Sequence, residues 1–347
     1  MSLVPLPSQP LDTPWPVDGW PGGEPPARVA PELNRLLDAT FAEPQPETTV
    51  QTNAMLVVHR GRMVAERYAA GVTQSDALPS WSMAKSMLHA AAGLLVRDGR
   101  LRVSDRAPVA GWQQPGDPRA AITIASLLHM TPGLQFNEDY VDAEVSDTIK
   151  MLFRPGADDT GGFAASFPLD HAPGTVFNYS SGTTNIISSI VRDLLGGRDA
   201  YDAFLRHRLF DPIGMSSATP KFDASGSWIA STFCFCTARD FARFGLFYLR
   251  DGVWAGKRIL PEGWADYGRT PGPVHPGEDN HNYGYGAHWW LSEDRYGTFF
   301  AQGYSGQYML LVPALDLIVL RLGNTPVDRR PHVVGLLRQI VSLFAEA

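Results

Sequence analysis

Ser80-Trp81-Ser82-Met83-Ala84-Lys85-Ser86-Met87 is the stretch on which the reading of this chain turns. From Met83 onward Ala84, Met87, Leu88, Ala91, Ala92, Leu94 and Leu95 recur at helical spacing, until Arg97-Asp98-Gly99 closes the pattern with a turn residue. The spacing predicts a mostly buried helix. Ser80 is its expected N-cap, which puts Ser82 in the first turn, where unpaired backbone N–H groups and the helix dipole favour negative charge. Lys85, three residues on, shares that face. Its alanine, leucine and methionine neighbours disfavour the charged amine and draw its pKa toward a range where it accepts a proton. A hydroxyl with a base beside it is the arrangement of nucleophilic catalysis. Taken alone, Ser-x-x-Lys is a common coincidence, and a serine at a helix start is most often only a cap.

Outward from that helix, the apolar runs at residues 54–59 and 62–68 are joined by Arg60-Gly61 and read as a hairpin. Near the other end, residues 285–291, 298–301, 308–312 and 317–322 read as strands, the last two flanking Pro313-Ala314-Leu315-Asp316. Between residues 101 and 277 the signals are helical and loop-like. Residues 123–130 stop at Thr131-Pro132-Gly133, 182–195 end at Gly196-Gly197, 200–209 follow, and Thr237-Ala238-Arg239-Asp240 opens a helix to Arg250 in the manner of a capping box. Residues 31–41 and 331–344 predict amphipathic helices, the first with a proline in its opening turn. Eight prolines within residues 1–30, at 5, 7, 10, 14, 16, 21, 25 and 26, predict an extended arm lying on the body. Strands at both ends and helices between them predict a mixed α/β protein. Its sheet is split in sequence, residues 31–80 plus 283–347, with a mainly helical region over 81–282 and the serine helix at the boundary, where small-molecule clefts form.

Composition narrows the function. Of 347 residues, 44% are hydrophobic and 19% charged, ordinary for a chain with a sizeable core. A formal net charge of −7 with no basic block argues against nucleic acid as a partner. No apolar run reaches the roughly 18 residues of a membrane span. Residues 1–23 lack the basic start and apolar core of a secretory signal, so a cytoplasmic protein is expected. Cys234 and Cys236 alternate along one strand face, too close for an easy disulfide and too few for zinc, and read as small buried hydrophobes. His171, His275, His281 and His288 show no ligand spacing and read as surface or loop residues. No metal and no cofactor are expected, and the oligomeric state is not legible.

Two further stretches bear chemistry. Phe177-Asn178-Tyr179-Ser180-Ser181-Gly182 offers a phenol and a hydroxyl to one point just before a helix. In Gln302-Gly303-Tyr304-Ser305-Gly306-Gln307-Tyr308 paired glycines let backbone approach a ligand, and a strand N–H there would help the Ser82 N–H hold an oxyanion. Gly303-Tyr304-Ser305-Gly306-Gln307 fails the Gly-x-Ser-x-Gly elbow at its last position, which argues against an α/β-hydrolase.

In this order and spacing the three stretches resemble the motifs of the penicillin-recognising serine hydrolases. Ser82-Met83-Ala84-Lys85 is similar to the family's Ser-x-x-Lys. Tyr179-Ser180-Ser181 resembles the Tyr-x-Asn/Ser element of its class C β-lactamase and esterase branch, and Tyr304-Ser305-Gly306 stands where the lactamases carry Lys-Thr-Gly. The likeness runs from about residue 54 to the C-terminus. With the text at 127–134 and at Asn137-Glu138-Asp139-Tyr140 included, it is closest to the 6-aminohexanoate-dimer hydrolase type. The resemblance implies a β-lactamase/transpeptidase-like fold with an antiparallel sheet flanked by helices. It also implies that Ser82 attacks a small-molecule ester or amide, that Lys85 and Tyr179 share the proton work, and that the oxyanion rests between the N–H groups of Ser82 and Gln307. Tyr140 would belong to a loop covering the substrate, with Ser181, Tyr304, Ser305 and Gly306 facing it. Tyr304 brings no cation for a substrate carboxylate, so weak or absent β-lactam cleavage is expected beside a preference for carboxylic esters or short linear amides. The competing reading is a penicillin-binding-like sensor that is acylated without turnover.

Overall fold

Alternation along one strand places the centre of the molecule. In β1 (Gln51–His59), Ala54, Leu56 and Val58 join one core while Met55 and Val57 join another, so the strand is buried on both faces. The computed structural model, which describes residues 3–42, 50–277 and 283–346, continues β1 through Arg60 and Gly61, both at positive φ, into β2 (Arg62–Tyr68). That is the backbone of a two-residue hairpin.

The remaining strands of this sheet come from the other end of the chain: β3 (Gly284–Tyr285), β4 (Trp290–Leu291), β5 (Phe299–Gly303), β6 (Gln307–Val312) and β7 (Leu317–Asn324). They complete seven antiparallel strands in the order β2-β1-β7-β6-β5-β4-β3. β1 and β7 are neighbours although more than 250 residues separate them, with Leu56 opposite Leu320. The sheet is thus split in sequence and closed in space.

Helices α1 (Ala30–Phe41) and α5 (Arg330–Ala345) cover one face, burying Leu33, Leu37, Leu337 and Ile340 against Met55, Val57 and Val319. The other face packs on α2 (Ala84–Arg97), α3 (Ser181–Leu195) and α4 (Ala238–Leu249) through one continuous core. Every residue of α2 from Ala84 to Leu95 is buried. Residues 3–29 make no helix, as their prolines require, and hydrogen bonds between side chains and carbonyls tie them to the body in both directions. Arg269 donates to Val4 O (2.6 Å), Arg243 to Pro16 O (3.0 Å), and the Trp20 indole donates to Arg239 O (3.2 Å).

The structure departs from the sequence expectations at identifiable points. Residues 285–291 are not one strand. They fold into β3 and β4 around a turn in which His288 has φ +59° and donates its N–H to Leu128 O, and a methyl on Gly286 would sit 2.0 Å from Gly268 O. Close backbone packing, invisible in the apolar pattern, breaks the run. At Thr237 only half a capping box forms: Thr237 accepts the Asp240 N–H, while the Asp240 carboxylate turns to Ser217 and Arg243. The middle region also holds short strands, among them Cys234–Cys236, where both thiols are buried, free and 3.9 Å apart. His281 lies outside the described residues. Among those described, no helix is long and apolar enough to cross a membrane.

Candidate active site

Ser82 sits in a tight 3₁₀ turn, Trp81–Met83, that leads into α2. Ser80 does not cap this helix. Its backbone is already helical (φ −70°, ψ −33°) rather than extended, and its hydroxyl donates to Thr232 O (3.1 Å) and accepts the Cys234 N–H (3.0 Å). With Ser80 N–H donating to Cys234 O (2.9 Å), the turn before Ser82 is clamped to the strand Cys234–Cys236. Trp81 adopts φ +45°, a costly conformation for a residue with a side chain, and packs its ring on Tyr304 and Phe233.

Lys85 is 2% exposed, and its Nζ lies 3.1 Å from Ser82 Oγ, 3.1 Å from Ser181 Oγ and 2.9 Å from Ser231 O. Burial lowers its pKa to about 8, against the raising influence of the Glu138 carboxylate. Tyr179 approaches from the loop ahead of α3, whose N-cap is Ser180. Its ring lies 5.2 Å from that of Trp290, and Lys85 Nζ stands 4.9 Å from its centroid. Burial, with the Glu138 charge, holds the phenol well above its usual range, although the Ser82 hydroxyl and Arg330 pull the other way. Ser82 and Tyr179, 97 positions apart in sequence, line a cleft of about 350 Å³, with Lys85 buried behind Ser82.

The other expected residues divide. Tyr140 and Tyr304 line the cleft, their rings 5.4 Å apart. Ser181 is 1% exposed and lies behind the cleft wall, between Lys85 and Glu138, so it does not face the space a substrate would occupy. Ser305 and Gly306 lie away from the cleft, their carbonyls accepting from the buried Arg321 guanidinium. Gln307 is 1% exposed and is not part of the lining. Its amide turns into the sheet, donating to Tyr304 O (2.9 Å) and Gly323 O (2.6 Å) and accepting the Gly323 N–H. The part of this turn that borders the cleft is Gln302, Gly303 and Tyr304.

Two residues of the site have no sequence signal, and a third lies where the sequence did not place it. Glu138 accepts from Ser181 N–H (2.8 Å), Ser181 Oγ (2.5 Å), Tyr140 OH (2.5 Å) and Thr148 Oγ1 (2.6 Å). A lone glutamate in a loop has no spacing that ties it to a helix start 43 positions away. Arg330, in the first turn of α5, lines the cleft and brings a cation to it from an element outside the three motifs. His288, expected at the surface, is buried. Its Nδ1 faces Leu128 O (2.8 Å) and therefore carries the proton, while Nε2 accepts from Thr184 Oγ1 (3.1 Å). Burial brings its pKa down to about 3, so it stays neutral beside Lys85.

A family model described as Beta-lactamase matches residues 37–340. The chain is 28% identical over 323 residues to the 6-aminohexanoate-dimer hydrolase of Paenarthrobacter ureafaciens, covering 88% of this chain and 78% of that one. A solved structure from Bacillus anthracis, provisionally assigned as a 6-aminohexanoate-dimer hydrolase, matches with TM-score 0.77 at 23% identity over 95% of this chain and 89% of that one. EstCE1, a hydrolase with promiscuous acyltransferase activity, matches with TM-score 0.70 at 15% identity over 90% and 98%. The two structural likenesses speak to the fold, a β-lactamase/transpeptidase-like arrangement of antiparallel sheet and flanking helices. The family model spans most of the chain, which therefore belongs to the β-lactamase family and is, with it, a hydrolase.

Proposed function

We propose that this chain is a serine hydrolase that cleaves carboxylic esters or short linear amides through an acyl-enzyme on Ser82, with Lys85 as base and Tyr179 as acid. The observation that carries this reading is the 3.1 Å between Lys85 Nζ and Ser82 Oγ, with the amine buried and its pKa lowered to about 8. An amine of that basicity is partly neutral near physiological pH, whereas the Tyr179 phenol keeps its proton. The division of roles follows from that difference.

Ser82 Oγ loses its proton to Lys85 as it attacks the carbonyl carbon. The leaving oxygen or nitrogen takes the Tyr179 proton as its bond to that carbon breaks. In the second half, water gives a proton to the Tyr179 phenolate as it attacks the acyl carbon, and Lys85 returns its proton to the departing Ser82 oxygen. The Ser82 N–H is the first oxyanion donor. For the second we favour the Tyr304 N–H over that of Gln307, because Gly303 packs directly on the Ser80–Trp81 backbone and Tyr304 borders the cleft. Gln307, gripping the Tyr304 carbonyl, would hold the next peptide along and so steady the turn.

The aromatic walls, Tyr140, Tyr179, Trp290 and Tyr304, suit an uncharged acyl or amine segment. The test is a panel of p-nitrophenyl esters of graded chain length beside short linear amides, including a 6-aminohexanoate dimer. Wild type is expected to turn over and Ser82→Ala to be inactive with its fold intact. A stoichiometric burst followed by silence would favour an acylatable sensor instead. Nitrocefin hydrolysis is expected to be much slower than that of a short acyl ester, and comparable rates would overturn the ester and amide preference.

A further inference from the structure

We infer that Glu138 is a positioning residue: by taking the hydroxyl proton of Ser181, it obliges Ser181 to accept from Lys85 and leaves the amine's electron pair facing Ser82. This rests on the reading of Ser82 as nucleophile and Lys85 as its base. It follows from counting donors and acceptors around one buried nitrogen.

A neutral lysine amine has two N–H bonds and one electron pair, and Lys85 Nζ has three neighbours. Ser231 O, at 2.9 Å, can only accept. Its peptide is fixed from the other side, where the Thr232 N–H donates to Ile229 O at 3.1 Å. Ser181 and Ser82 are hydroxyls and could each donate or accept. If Ser181 donated to Lys85, it would occupy the electron pair that the nucleophile needs.

Glu138 removes that possibility. An ionised carboxylate only accepts, and its oxygens receive four donors. Oε2 takes the Ser181 N–H at 2.8 Å and Thr148 Oγ1 at 2.6 Å, and Oε1 takes Ser181 Oγ at 2.5 Å and Tyr140 OH at 2.5 Å. The backbone N–H of Ser181 cannot reverse its direction, so it anchors the carboxylate. Ser181 Oγ, its proton committed to Oε1, then accepts one Lys85 N–H while Ser231 O accepts the other. The one direction left is toward Ser82 Oγ at 3.1 Å, whose own proton is the only one around this nitrogen still unassigned. Glu138 thus sets which hydroxyl Lys85 deprotonates without itself reaching the reacting atoms.

Glu138→Gln inverts the pattern. The anchored backbone N–H of Ser181 keeps the amide oxygen at the Oε2 position, which puts the amide NH₂ opposite Ser181 Oγ. Ser181 must now accept from residue 138, and it turns its proton onto Lys85. Ser181→Ala deletes the competing hydroxyl altogether. The readout is the rate at which a fluorophosphonate probe labels Ser82, followed by intact-protein mass spectrometry, beside p-nitrophenyl acetate turnover.

Glu138→Gln is expected to slow labelling about thirtyfold or more, and Ser181→Ala less than that, as losses of proton-transfer geometry. In the double variant the labelling rate should return to that of Ser181→Ala alone. Since the Glu138 charge raises the Lys85 pKa, Glu138→Gln should also move the acid limb of the labelling profile to lower pH while lowering its plateau. A structural role alone does not give the rescue. The inference is overturned if folded Glu138→Gln labels within about threefold of wild type, or if the two single losses multiply in the double variant. Should Glu138→Gln not fold, Glu138→Ala also frees the Ser181 proton and must show the same rescue by Ser181→Ala. Labelling of wild type without ester turnover would sink the hydrolase reading and leave this test running. Absence of labelling in wild type would overturn both.

Discussion

The backbone of Gly303 lies against the carbonyl of Ser80 so closely that a methyl group on Gly303 would stand 2.5 Å from that oxygen and 3.0 Å from Trp81 Cβ. Its φ is −126°, a conformation open to any residue, so the glycine is there for space and not for backbone freedom. This contact sets the end of β5 against the turn that carries Ser82. Gly303→Ala should therefore push the two apart. A loss of about a hundredfold in kcat/KM is expected, with a fall in Tm of a few degrees, because misplacement near the nucleophile is costly even when the fold survives. Ester kinetics and thermal melts of the variant check this. Wild-type kinetics in Gly303→Ala would mean that the turn yields without consequence.

Acylation should follow the neutral fraction of Lys85. Its conjugate acid titrates at about 8, so kcat/KM for a neutral ester should rise through that pH and level off above it. Lys85→Arg keeps a cation but cannot release a proton near neutral pH, and a loss of about 10²–10⁴-fold is expected across the whole range. A flat wild-type profile between pH 6 and 9 would exclude Lys85 as the base.

How far these relationships were legible depends on how locally they are encoded. The Ser82–Lys85 pair spans three positions at a helix start, and the hairpin at Arg60-Gly61 is two residues, so both are local in sequence and their spacing is readable there. The division of the sheet between the chain ends was readable from where the β-type runs fall. The break at Gly286 and the burial of His288 were not, since each follows from backbone contacts with residues elsewhere, Gly268 and Leu128. Ser80 misled because its type suits a cap while its hydroxyl answers to Thr232 and Cys234, more than 150 positions downstream. Glu138 and Arg330 are single charges without a periodic partner. Only the fold reveals that they border the same cleft.

Arg330 supplies a cation from α5 where Tyr304 supplies none, and it bears on the question of acidic substrates. Its charge is felt at the phenols of both Tyr140 and Tyr179. Arg330→Ala is expected to raise KM about tenfold for an ester or amide that carries a carboxylate, and to affect its uncharged analogue distinctly less. Matched substrate pairs, assayed at two ionic strengths, check this. Equal effects on both members of a pair would deny Arg330 a role in charge recognition.

His288 makes the fold sensitive to acid. Its pKa falls from 6.5 unfolded to about 3 in the native state, so between those values the unfolded chain binds the extra proton. Its contribution is complete above pH 6.5 and is lost as pH drops toward 3, for a ceiling of about 5 kcal/mol. His89, buried and also held well below its usual value, acts in the same direction. Denaturant unfolding at pH 7 and pH 4 should show a large loss of stability for wild type and a smaller one for His288→Gln. The same difference in both proteins would assign the acid sensitivity to other groups.

Arg321 has no exposed surface, no carboxylate among the described residues bonds its guanidinium, and it donates to oxygens of the turn after β5 and of β1. It reaches Gly306 O at 2.8 Å, Ser305 O at 3.3 Å, Gln51 O at 2.6 Å and Thr52 Oγ1 at 3.1 Å. Burial lowers its pKa to about 10, which leaves it charged at neutral pH and dependent on these dipoles. Gly306, at φ +80°, fits against it because a β-carbon there would come within 2.8 Å of Nη1. Lysine lacks the fork needed to serve four acceptors, so Arg321→Lys should lose about 3 kcal/mol of stability, in the range seen when a buried charge network is broken. Because the same network fixes Ser305 and Gly306, next in sequence to Tyr304, kcat should fall as well. If stability drops while kcat is unchanged, the turn is held by Gln307 and Gly303 without help from Arg321.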